Sequence, residues 1–306
     1  MKRILACLTA LAATSGSSAH EYLSFDELME AFNTDFDAIE IRSEPVGDGL
    51  YVLFGAGGNV LVSIGEQGTL MVDSQYAPMA PKIQTAVEAL GGDGIDFTIN
   101  THWHFDHADG NPALARGGTW FVSHINSRRM MASDREINLV GIAYLQPAYP
   151  PEAMPVITYS DQMQFHFNSN TIDLLHFSPA HTTGDTAVFI RNQNVVHLGD
   201  VFNANYPFID AGSGGEIDGM ILFCESVLAR LDADSKVIPG HGPVMGYDDL
   251  ELYIHMLETT RNRIRDMIDL GMSLEDVMAA EPTAEFDERF GDPARFIDRA
   301  YYSLSR

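Results

Sequence analysis

The stretch Thr101-His102-Trp103-His104-Phe105-Asp106-His107 constrains this chain more than any other. Three imidazoles and a carboxylate crowd together just after the apolar run Phe97-Thr98-Ile99-Asn100, which reads as the end of a buried strand. A helix presents paired histidines at an offset of three or four residues. The offset of two predicts an extended loop with His102 and His104 on one side. Asp106 and His107 lie where that loop turns, placed to face a second centre beside the first. Imidazole and carboxylate are the donors that Zn²⁺, Mn²⁺ or Fe²⁺ accept.

Three further ligand-type residues follow in similar settings. His181 stands in Ser178-Pro179-Ala180-His181-Thr182-Thr183-Gly184-Asp185, after the strand-like run Thr171–Leu175. Asp200 ends Val195-Val196-His197-Leu198-Gly199-Asp200, and His241 lies in Val237-Ile238-Pro239-Gly240-His241-Gly242-Pro243. Four strand ends thus each carry potential ligands beside Gly or Pro, where the backbone can turn sharply. Loops held by a rigid sheet edge are where sites are built. One such segment signifies little; the ordered set points to a metal centre.

The series His102-x-His104-x-Asp106-His107, His181, Asp200 and Pro-Gly-His241-Gly resembles the metallo-β-lactamase superfamily over nearly the whole chain after the first few dozen residues. The resemblance implies an α/β fold, a four-layer αββα sandwich with metals at one edge of the two facing sheets. It implies that His102, His104 and His181 hold a first metal, that Asp106, His107 and His241 hold a second, and that Asp200 bridges them. Asp73, in Leu70-Met71-Val72-Asp73, matches the family's early aspartate, which supports the ligand loop from behind. Two Zn²⁺ ions are expected, with Fe or Mn as alternatives.

With 306 residues and 45% hydrophobic content, the chain can bury one sizeable core. Residues 1–19 read as a secretory signal: Lys2 and Arg3, the apolar Ile4–Ala13, then Ser17-Ser18-Ala19 before a cut ahead of His20. The apolar run is too short to span a bilayer. Residues 20–306 are then a single exported domain, periplasmic or secreted, with a helical extension over about 20–40. Cleavage would remove Cys7 and leave Cys224 without a disulfide partner. The net charge of −25, with no basic stripe, argues against nucleic acid and for a small-molecule substrate. Oligomeric state is not legible.

Along the chain, Ser24-Phe25-Asp26-Glu27 reads as a capping box, and Phe25, Leu28, Met29, Phe32, Phe36 and Ile39 continue at helical spacing. Leu50–Phe54 and Asn59–Ile64 are expected strands joined by Gly55-Ala56-Gly57-Gly58, either a plain tight turn or, by the resemblance, a mobile flap placing Gly57 and Gly58 beside the metals. Residues 130–160 look irregular; they read equally as one wall of a substrate pocket or as a surface loop over a satellite apolar cluster. Ile217–Leu231, Leu250–Leu270 and Phe296–Leu304 are expected helices, with Cys224 on a buried stripe.

The resemblance implies a hydrolase in which a metal-bridging hydroxide attacks an ester, lactone, thioester or amide, with Asp106 orienting it and relaying a proton. A zinc β-lactamase and a mononuclear iron dioxygenase of sulfur compounds are the alternatives, the second disfavoured by the complete second ligand set. Asn203, Asn205 and Tyr206, close behind Asp200, are candidate substrate contacts. The lysines are Lys2, Lys82 and Lys236, none in a site loop. Neutral or weakly charged esters or lactones are therefore expected to be better substrates than penicillins, unless an arginine from the 128–135 region reaches the pocket.

Overall fold

A computed structural model describes residues 22–306. The expected leader over 1–19, its cleavage point and Cys7 lie outside the described residues. The strands are β1 (Arg42–Gly47), β2 (Leu50–Phe54), β3 (Val60–Gly65), β4 (Gly68–Val72), β5 (Phe97–Asn100), β6 (Trp120–His124), β7 (Arg135–Asn138), β8 (Ala143–Gln146), β9 (Ile157–Tyr159), β10 (Gln162–Phe167), β11 (Asn170–Leu175), β12 (Ala187–Ile190), β13 (Val195–His197), β14 (Lys236–Ile238) and β15 (Met245–Gly246). One sheet runs β1-β2-β3-β4-β5-β6-β9, a second β10-β11-β12-β13-β14-β15, and β7 and β8 form a separate ribbon.

The two large sheets face each other. Val52, Leu61, Val72 and Ile99 of the first meet Ile172, Val188, Ile190 and Ile238 of the second in a shared apolar core. The outer face of the first sheet packs Val62 and Met71 on Ile83 and Val87 of helix Ala80–Ala89. The outer face of the second packs Val196 and Val237 on helices Ile217–Leu228, Tyr247–Asp269 and Ala294–Leu304. This is the four-layer sandwich the sequence led us to expect. Central strands such as β12 are buried on both faces, so their sequence is a continuous apolar run rather than an alternation. Each fully buried Val, Ile or Leu contributes roughly 1.5–3 kcal/mol relative to exposure.

Parallel pairing sets the location of the site. β4 runs parallel to β5, with Val72 opposite Ile99, and β13 runs parallel to β14, with His197 opposite Ile238. The segments that follow, bearing Asp73, the histidine loop, Asp200 and His241, consequently emerge at one edge.

Two segments differ from the sequence reading. The Ser24 capping box forms, with Ser24 Oγ accepting from the Glu27 amide and Glu27 accepting from the Ser24 amide, but the helix is only Phe25–Ala31. Asn33 adopts a left-handed φ of 53°, and beyond it Lys82 Nζ donates to the Phe36 and Ile39 carbonyls at 2.7 Å each. The aromatic spacing persists because the turns bury the same face: the Phe36 ring stacks on Phe25. Residues 130–160 are also more regular than expected. They hold the end of helix Ile125–Met131, the β7–β8 ribbon and β9, with Ile137, Tyr144 and Tyr149 buried. Among the described residues, no helix is long and apolar enough to cross a membrane.

Candidate metal centre

The strand ends gather the seven predicted ligands into two adjoining groups. His102, His104 and His181 form one; Asp106, His107, Asp200 and His241 form the other, and within each group one donor atom per residue lies within 4.8 Å of the rest. His104 Nδ1 and His181 Nε2 face each other at 2.9 Å. Their other ring nitrogens are engaged: His104 Nε2 donates to Asp210 Oδ2 at 3.1 Å, and His181 Nδ1 to the Phe208 carbonyl at 2.7 Å. Two acceptor lone pairs are thus left pointing at one another, an arrangement that a cation between them relieves. His102 Nε2, His107 Nε2 and Asp200 Oδ1 are buried with no hydrogen-bond partner. Buried polar atoms are rarely left unmet, and here they converge on the donors of the two groups. The residues present fit divalent cations. Asp200 stands between the groups, with Oδ1 3.1 Å from His107 Nε2 and Oδ2 3.7 Å from His181 Nε2.

A second set of residues orients these donors. Asp73, fully buried with a left-handed φ of 63°, accepts from His107 Nδ1 and from Thr101 Oγ1 at 2.7 Å each. Thr101 Oγ1 in turn accepts from His102 Nδ1 at 3.0 Å, so one carboxylate steadies a ligand in each group. Asp210 does the same for His104 alone, and sequence reasoning missed it. It follows no strand directly and has no ligand-like neighbours; its burial is visible only in three dimensions. His197 donates from Nε2 to the Asn59 carbonyl and accepts the Gly199 amide at Nδ1, which sets the turn leading to Asp200. Close packing does the rest. A Cβ on Gly58 would meet the His107 ring at 2.1 Å, and one on Gly240 would meet Asp200 Oδ1 at 1.9 Å.

Protonation differs between the groups. Burial, reinforced by the neighbouring imidazoles, pushes His102 well below the usual histidine range, and burial lowers His181 too. Burial also acts on His107, but Asp200, Asp106 and Asp73 overcome it and hold its proton well above that range. His241 is raised in the same way against burial, by Asp200 and Asp106. Burial resists ionisation of Asp200, yet His241 and His107 keep its carboxyl well below the ordinary value.

The sequence matches the profile of the Metallo-beta-lactamase superfamily over residues 54–241, more than half of the chain. The chain belongs to the metallo-β-lactamase superfamily. It is 26% identical over 188 residues to a hydroxyacylglutathione hydrolase of Brucella anthropi, a match covering 60% of this chain and 61% of that protein. Similar solved structures include a metallo-β-lactamase from Pontibacter korlensis (TM-score 0.58, 15% identity, 72% of this chain and 99% of that one). Another is the mono-zinc form of FIM-1 from Pseudomonas aeruginosa (TM-score 0.56, 19% identity, 72% of this chain and 95% of that one). These structural likenesses are likenesses of fold.

In this superfamily member the donors open onto a cavity of about 150 Å³, floored by His104, Asp106, His181 and Asp200 and walled by Phe32, Tyr76, Phe105, Ile137, Leu139 and Phe208, with Arg295 at its rim. The 130–160 region thus contributes wall residues through Ile137 and Leu139. The candidate contacts behind Asp200 lie elsewhere. Asn203 Oδ1 accepts the His241 amide at 2.8 Å and its Nδ2 donates to the Asp200 carbonyl, so it braces two ligand loops. Asn205 and Tyr206 line a separate cavity with Phe290 and Asp292, and the Tyr206 hydroxyl is taken by Asp287. Gly57 and Gly58 are buried beneath the Asp106–His107 turn. The Gly58 amide donates to the Asp106 carbonyl at 2.9 Å, and Gln75 Nε2 to the Gly58 carbonyl at 2.7 Å, bonds that tie this hairpin tip to the histidine loop. Arg128 is turned away, donating to the Pro155 carbonyl.

Proposed function

We propose that this protein is a two-metal, zinc-dependent hydrolase acting on an ester, lactone, thioester or amide. The observation that carries the reading is Asp200, one carboxylate oxygen facing each ligand group, with unpartnered imidazole nitrogens around it. When bound, a pair of divalent cations supplies acidified water and Lewis-acid polarisation of the scissile carbonyl. The chain supplies the proton path. Asp106 Oδ2 lies 3.1 Å from His241 Nε2, and the side chain is 17% exposed on the cavity floor. Burial opposes its ionisation, but His107 and His241 keep its carboxyl below the usual range, so it is a carboxylate at neutral pH. It is placed to take a proton from the attacking water and return it to the leaving group. The apolar wall excludes bulk water and receives the acyl group.

Membership of the superfamily and the relative named as a hydroxyacylglutathione hydrolase support acyl hydrolysis. The complete second group favours two metals over the single iron of the dioxygenase reading. The test is metal analysis of the purified protein together with turnover of a panel of esters, lactones, thioesters, amides and β-lactams. Two zincs and acyl hydrolysis are expected; one iron with sulfur oxidation overturns the reading. Export after removal of residues 1–19 is part of the proposal. Amino-terminal sequencing of the secreted or periplasmic protein checks it, with His20 expected first.

A further inference from the structure

Among the described residues, Arg295 is the one cation, apart from the imidazoles, on the cavity that opens over the candidate ligands. It lies in the first turn of helix Ala294–Leu304, where the helix dipole disfavours positive charge, so helix stability does not account for it. Among the described residues it has no hydrogen bond and no ion pair. Its neighbours are engaged: Arg289 donates to the Ala204 carbonyl and Arg299 pairs with Asp298. The Arg295 guanidinium sits 5.9 Å over the Phe32 ring, which turns it toward the aromatic wall. It also borders the second cavity, beside Asn205 and Tyr206, and so stands at the junction of two hollows. In a chain of net charge −25, this exposed arginine has no carboxylate within ion-pair distance and is open to an anion beside the candidate site.

We propose that Arg295 binds an anionic group of the substrate, and that the preferred substrate joins an apolar, ring-sized acyl body to a carboxylate. The body packs on Phe32, Tyr76, Phe105 and Phe208 while the carboxylate reaches the guanidinium at the rim. Phe32 and Arg295 both lie outside the superfamily match of 54–241, so on this proposal the preference would be set by segments flanking the common core. On this proposal an anionic substrate is preferred to the neutral esters or lactones expected from the lack of lysine in the site loops, with the cation supplied by the carboxy-terminal helix. This substrate class rests on the hydrolase reading; the anion site itself does not.

The experiment compares the zinc-loaded full chain with its Arg295→Met and Arg295→Lys variants on two aryl-acyl thioesters. The pair is identical except for a carboxylate at the far end of one acyl group. The ratio of kcat/KM, anionic over neutral, is expected to fall by about tenfold or more in Arg295→Met, mainly through KM, and to be partly kept in Arg295→Lys. In parallel, calorimetry measures binding of 4-phenylbutyrate to the metal-free wild type and Arg295→Met, with about a tenfold weakening expected. A ratio and an affinity both unchanged within twofold overturn the proposal. If two-zinc protein turns over neither thioester, nor any member of the wider panel, the hydrolase reading fails, and the phenylbutyrate comparison alone decides Arg295.

Discussion

The two halves of the candidate metal centre are built from opposite materials. The first group is three imidazoles, deeply buried, with Asp210, the Phe208 carbonyl and the Asp73–Thr101 relay fixing which nitrogen faces inward. Burial keeps His102 and His181 reluctant to take a proton, so this half is ready to accept a cation. The second group contains two carboxylates, which draw protons onto His107 and His241, and His241 is 42% exposed. Solvent screens part of that effect at His241. A cation entering the second half must displace protons from His107 and His241, whereas His102 and His181 in the first hold theirs weakly. The lesson is that two adjoining sites of similar ligand count are expected to differ in affinity, and to empty in a fixed order.

The largest expected effect comes from Asp200→Ala, which removes the group both halves share. Both metals should be weakened, and turnover should fall by about a hundredfold or more; near-full metal content and activity would break the picture of a shared carboxylate. His241→Ala should empty the second half while the first keeps its ion and the fold survives. Equal loss from both halves would show that they are not independent.

Asp73→Asn touches one ligand in each half and should weaken both by roughly 10–100-fold, whereas Asp210→Asn should weaken only the first by a similar factor. Metal titrations of the two variants separate these outcomes, and a uniform effect of Asp210→Asn would erase the distinction. Acid should then sort the halves in the wild type. Groups with raised affinity for protons fill first as pH falls, and a protonated imidazole cannot ligate. The half with His107 and His241 should therefore lose its metal at higher pH than the half with His102 and His181. Metal content followed from pH 8 downward checks the order; simultaneous loss contradicts it. The smallest effect is expected from Cys224→Ala. That thiol is fully buried against the Val201 carbonyl, outside both halves, and burial pushes its proton affinity up. A small cavity should cost about 1 kcal/mol of stability, with both metals and turnover kept.

The candidate ligands stood out in the sequence because most of them closely follow an apolar strand, and strand ends are written locally. The sandwich was legible for the same reason, since runs such as Val195–Val196 and Ala187–Ile190 must be covered on two faces. The amino-terminal helix is shorter than its aromatic spacing predicts, because that spacing reports burial rather than hydrogen bonding, and turns held by Lys82 satisfy it equally well.

What the sequence by itself determined is local: donor types, their order, and the strand ends that carry them. Only the tertiary structure decided which groups stand behind and around those donors. Asp210 reaches His104 across 106 residues of chain, and Asn203 braces the loops of Asp200 and His241. Phe32 and Arg295, from opposite ends of the described chain, meet over one cavity. The physical reason is that these contacts are made between elements whose relative placement follows from sheet pairing and core packing. No local periodicity or spacing records such a placement.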